Sequence, residues 1–134
     1  MPSLYHPLVV HFPVALWMTS ALFDLLYARS TDRFHFRASQ FLIGLGLLGA
    51  AVSVVTGYAD YLPLVREGIG AEFVARHKTH QVVALAATVV YAVSFYARWR
   101  QPHLHRTTLL LLTAVGALLI GATGLIGGDL RMVM

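Results

Sequence analysis

The chain has 134 residues, 57% of them hydrophobic and only 12% charged, with a formal net charge of +4. That is far from the balance of a soluble domain, and the length suits one domain. There is no cysteine, which excludes disulfides, thiolate-held iron–sulfur clusters and a Cys-x-x-Cys-His haem attachment.

Four apolar segments are predicted, at roughly 7–28, 38–61, 79–98 and 107–126, each near the length of about 20 residues needed to cross the hydrocarbon core as a helix. The expected fold is all-α: an integral membrane antiparallel four-helix bundle. Segment one is not read as a cleavable signal peptide, because Met1–His6 has no basic residue and no small-x-small site follows the apolar run. Pro7 suits a first helical turn. Pro13 falls inside the run and predicts a kink, with His6 and His11 on an irregular initial turn. On a straight helix those two histidines point roughly 140° apart. Asp24, the one acid inside this segment, is expected to pair with Arg29 or Arg37.

Segment two carries a seam of small residues, Gly46, Gly49, Ala50, Ser53 and Gly57, and segment four another, Ala117, Gly121, Gly124 and Gly128. Such spacings let helix backbones approach closely in lipid; the alternative is room for a flat macrocycle. The seams allow a homodimer without requiring one. Residues 63–75 form the one sizeable loop, with a short helix expected at Ala71–Ala75, placed to cap the bundle. No internal repeat stands out.

The connection between segments one and two carries Arg29, Arg33 and Arg37, and that between three and four Arg98, Arg100 and Arg106. The opposite face has Arg66, Arg76, Lys78 and Arg131 among three acids. This modest positive-inside bias places both termini outside. No nucleic-acid partner is implied, and the partner expected is the bilayer. Trp17 reads as packing and Trp99 as part of an aromatic belt, while His35, His103 and His105 read as solvated.

In an antiparallel bundle, segments one and three start at one surface, which brings His6 and His11 toward His77 and His80. An ionisable group at a span is a functional candidate by default. Imidazoles on facing helices suit a b-type haem; Arg66, Arg76 and Lys78 lie where propionates want cations. The competing reading is a zinc, copper or iron ion on His6, His11, His77 and Asp60. A third is an accessory subunit in which the motif only knits helix ends together. Gln81 shares a helix face with His77. No hydrolase triad, phosphate loop or nucleotide fingerprint is present, so whether the chain is an enzyme stays open.

His6-Pro7-x-x-x-His11-Phe12-Pro13, the Phe23-Asp24 pair, Gly57-x-x-Asp60, His77-x-x-x-Gln81 and Gly127-Gly128 together resemble a family of small bacterial four-span membrane proteins, the domain of unknown function 2231. Gln81 stands where the family has asparagine, and Asp129-Leu130-Arg131-Met132 is more polar than its usual tail. The resemblance covers almost the whole chain and implies a bacterial inner-membrane protein. Relatives joined to Rieske-type modules imply membrane redox work with a redox protein or a quinone. The expected cofactor is therefore haem b, with His11 and His77 as axial ligands, His6 or His80 as substitutes, and Gln81 and Arg76 nearby.

Overall fold

A computed structural model describes residues 5–68 and 70–132. Four helices account for nearly all of them: α1 (Tyr5–Ser30), α2 (Arg33–Arg66), α3 (Ala71–Arg100) and α4 (Arg106–Met132). Each is long and apolar enough to cross a membrane. The 34 residues of α2 span about 51 Å, well beyond a hydrocarbon core of about 30 Å.

Short connections turn the chain at each end. Thr31 takes a left-handed φ of 57° and donates its N–H to the Tyr27 carbonyl, closing α1. Asp32 then caps α2 by accepting from the Phe34 N–H at 2.9 Å. Gly68, at φ +77°, makes the turn between α2 and α3. The expected capping loop over residues 63–75 is replaced by helix. Residues 63–66 continue α2 and Ala71–Ala75 begin α3. Pro63 falls in the last turn of α2, where its missing N–H removes the helical donor to the Ala59 carbonyl, and the helix ends three residues later.

The helices form a ring in which each packs on its sequence neighbours and α4 closes against α1, so α1 and α3 lie diagonally opposite, as do α2 and α4. Trp17, Ile43, Ala50, Ala87, Tyr91 and Ile120 fill the centre. Phe36, Leu104 and Leu109 close the end that carries the arginines. Large apolar side chains also face outward on every helix, among them Leu22, Phe41, Leu48, Val89 and Leu125. An apolar exterior on this scale marks a surface meant for lipid.

The glycines of the α2 seam are filled from within the chain, as are Gly116 and Gly127 of α4. A Cβ at Gly46 would overlap the Trp17 indole, and one at Gly116 would lie 2.9 Å from the Tyr91 ring. At Gly49 the occupant is Pro13, at Gly57 His6, and at Gly127 His80. These notches accept aromatic rings, a proline and imidazoles from neighbouring helices. Gly121, Gly124 and Gly128 have nothing within 4 Å.

Candidate functional site

Two polar constellations lie inside the bundle, one toward each end. At the arginine end, Asp24 of α1 and Arg98 of α3 are each 1% exposed. Arg98 donates from Nη1 to Asp24 Oδ1 at 2.8 Å and from Nη2 to Oδ2 at 2.7 Å, a bidentate pair. Thr113 of α4 donates its hydroxyl to Asp24 Oδ2 at 2.5 Å. Ser39 of α2 and Ser94 accept from the same guanidinium, each at 3.2 Å. The Phe36 ring lies 5.5 Å beneath it. Asp24 of α1 and Ser39 and Phe36 of α2 therefore converge on the Arg98 side chain, and Thr113 of α4 joins the network through Asp24.

This corrects the pairing expected for Asp24. Arg29 and Arg37 are exposed, and Arg29, five residues along the helix, points roughly 140° away from Asp24. Arg98 had been counted among the surface charges that set orientation. A signal was present: Ala87, Tyr91, Ser94 and Arg98 recur at helical spacing and are all buried, a stripe that carries the last residue inward. A lone acid in a span also demands a base from another span.

Between the two ends, Trp17 and Tyr91 stack across the bundle with ring centroids 4.2 Å apart and planes 12° from parallel. The indole Nε1 donates to the Ile43 carbonyl at 3.3 Å. The Tyr91 hydroxyl is buried without a partner.

At the other end, the histidines divide. His6, at the start of α1, points inward and seats on Gly57 of α2, its Nδ1 donating to the Ser53 carbonyl at 2.9 Å. Because a carbonyl only accepts, Nδ1 carries the proton and Nε2 keeps its lone pair. His80 seats on Gly127 of α4, and its Nδ1 is buried with no hydrogen-bond partner. His77 stacks on Tyr61 at 4.4 Å with planes 7° apart, and its ring centre is 6.3 Å from that of His80.

His11 is not with them. α1 is regular helix through both residues and past Pro13, so the straight-helix rotation holds and the irregular initial turn does not form. His11 faces outward and lines a groove of about 200 Å³ with Leu8, Phe12, Ala15 and Leu16. Gln81 is half-buried beside His80, and Asp60 is half-buried on α2. Arg76 is exposed and paired with Glu72 at 2.9 Å; the two share a groove of about 250 Å³ with Phe73 and Leu130. Among the described residues, no group of three or more His, Asp or Glu side chains is placed to hold a metal ion. His35 is half-buried and meets the Ser30 hydroxyl at 3.0 Å, so it is not simply solvated.

A four-helix membrane protein with a buried ion pair toward one end and converging imidazoles at the other is the class that fold and site define. A family profile described as a predicted membrane protein, DUF2231, matches residues 4–134. The chain belongs to that family. Neither a curated protein nor a solved structure gives a significant match.

Proposed function

We propose that this protein binds a b-type haem between His6 and His80 and transfers electrons at the histidine end of the bundle. The observation that carries the reading is the pair of half-buried imidazoles on diagonal helices, each resting on a glycine of an adjacent helix, with the Nδ1 of His80 buried and lacking any hydrogen-bond partner. The Ser53 carbonyl orients the His6 ring and fixes its tautomer, the second-shell arrangement that ligating imidazoles use. Two nitrogen donors fall short of a closed tetrahedral ion site but suffice for an iron whose other positions are filled by a porphyrin. Bound there, haem supplies one-electron chemistry. His11, first expected as a ligand, faces outward, and His77, stacked on Tyr61, has no glycine seat like those of His6 and His80. Arg76 is occupied by Glu72, leaving Arg66 and Lys78 as the cations for propionates. In this reading the arginine end faces the cytoplasm of a bacterial inner membrane, both termini are periplasmic, and the partner is a redox protein or a quinone.

A second reading has its own support. The two imidazoles fill their glycine notches so closely that they also serve to knit α1 to α2 and α3 to α4, as in an accessory subunit without a cofactor. An absorption spectrum separates the two. Protein expressed with ample haem should show a Soret band that shifts on dithionite. His6→Ala or His80→Ala should lose the low-spin form, and His11→Ala should keep it. A protein that stays colourless after haem titration as well refutes the haem reading.

A further inference from the structure

We infer that the chain is two copies of one helical hairpin, related by a twofold axis along the bundle, and that His6 and His80 are equivalent members of one composite site. A shift of 74 residues carries His6 to His80, Trp17 to Tyr91, Ser20 to Ser94 and Asp24 to Arg98. A shift of 70 carries Gly46 to Gly116, Ser53 to Thr123 and Gly57 to Gly127. The contacts obey the same shifts. His6 rests on Gly57 and His80 on Gly127, in both cases with Cε1 3.0 Å from where a Cβ would stand. Trp17 fills the notch at Gly46 as Tyr91 fills the one at Gly116. The Ser53 carbonyl holds the His6 ring, whereas the Nδ1 of His80 has no hydrogen-bond partner.

The ring of helices has the required symmetry, because a twofold along its axis exchanges α1 with α3 and α2 with α4. Parallel repeats related by an axis along the membrane normal are an established way to build membrane bundles. The two shifts differ by four residues, about one helical turn; the helix ends of the second hairpin are shorter beyond the paired positions, while its connection, residues 101–105, is longer than residues 31–32. The pairs that meet across the axis are the stacked rings of Trp17 and Tyr91 and the ion pair of Asp24 with Arg98. There the copies have diverged to opposite charge. They have diverged too at Pro13 and Gly49, whose counterparts are Ala87 and Leu119.

The symmetry sorts the histidines. The counterpart of His11 is Leu85, which is exposed on the lipid face like His11 itself. His6 and His80 are the imidazoles that keep a glycine seat in both copies; His35 and His105, which the shift of 70 also relates, lie by the connections at the other end of the bundle. Gly57, Gly127 and Ser53 are thus positioning residues. The ligand they prepare for takes one nitrogen from each copy, Nε2 of His6 and Nδ1 of His80. That ligand's identity as an iron porphyrin rests on the function proposed above; the twofold does not.

The experiment uses full-length protein in detergent with hemin as the probe. His6→Ala and His80→Ala should each turn a six-coordinate low-spin spectrum into a five-coordinate one, with losses in hemin affinity that agree within about threefold. Gly57→Ala and Gly127→Ala, which push their rings by a few tenths of an ångström, should shift the reduction potential in the same direction. Gly124→Ala, with open space beside it, should leave the potential unchanged. Thermal midpoints of the hemin-free proteins give a reading independent of haem: the first two glycine variants should fall alike and the third should not. Matched falls without any hemin spectrum would refute haem and retain the twofold. A silent member in either pair, in spectrum or in midpoint, would overturn the equivalence.

Discussion

Removing one partner of the Asp24–Arg98 pair should damage the protein far more than removing both. Asp24→Asn leaves the Arg98 guanidinium, 1% exposed, facing an amide that cannot neutralise it. Breaking a buried pair in this way costs about 3–5 kcal/mol, a large share of the roughly 5–15 kcal/mol that holds a domain together. For a chain of this length that corresponds to a fall of about 10–20 °C in thermal midpoint. Arg98→Met leaves the Asp24 carboxylate with the Thr113 hydroxyl alone and should cost a similar amount. In Asp24→Leu/Arg98→Met both charges are gone, and such replacements are often neutral or stabilising by about 1–4 kcal/mol. Here Ser39 loses a donor, whereas Thr113 and Ser94 keep helical carbonyls within reach. The double variant should therefore lie within about 2 kcal/mol of the parent. Thermal unfolding of the four proteins in one detergent gives the coupling energy directly. Single variants within about 1 kcal/mol of the parent, or a double variant as unstable as the sum of the singles, would show that the pair is not desolvated as the geometry requires.

Tyr91→Phe should change the unfolding midpoint by less than the equivalent of about 1 kcal/mol, since the hydroxyl it deletes has no partner; a larger loss would mean that the hydroxyl is engaged. Gly46→Ala should destabilise by at least about 1–3 kcal/mol because the new methyl overlaps the Trp17 indole, readable as a lower midpoint and a changed Trp fluorescence. Arg76→Gln, which breaks an exposed i, i+4 pair, should cost under about 1 kcal/mol, and a midpoint fall of more than 10 °C would contradict its exposed setting.

How far the sequence foretold this arrangement depends on which physical signal each residue carries. The spans were legible because hydropathy over about 20 residues is a summed property that few local details can overturn. That the start of α3, with His77 and His80, lies at the same end of the bundle as the start of α1 followed from antiparallel order alone. Which histidine of α1 points inward turns on rotation about a helix, and the 140° between His6 and His11 contains the answer once Pro13 is not assumed to break the regular turn. Proline within a span can be accommodated when a neighbouring helix receives it, and Gly49 does so here. The partner of Asp24 was hidden because Arg98 sits two residues from the end of α3, where arginine ordinarily turns outward. The hairpin repeat escaped notice because its copies agree at a handful of positions on the bundle axis, while lipid-facing positions are free to drift among apolar types. The long loop over residues 63–75 was a misreading of Pro63 and two glycines as continuous punctuation.

Arg98 also bears on the order in which the bundle is made. Its backbone lies at the end of α3, yet its side chain runs inward to a carboxylate six residues before the end of α1, against the usual drift of arginine toward headgroups. Asp24 leaves the ribosome 74 residues ahead of its counter-ion, a delay of roughly 4–15 s at ordinary synthesis rates. During that interval an unpaired carboxylate at full depth would cost about 2.5–3.5 kcal/mol, enough to hold the first helix displaced toward the arginine-rich surface. The third helix supplies the missing charge, so the depth of the first crossing depends on a residue of the third as well as on its own hydropathy.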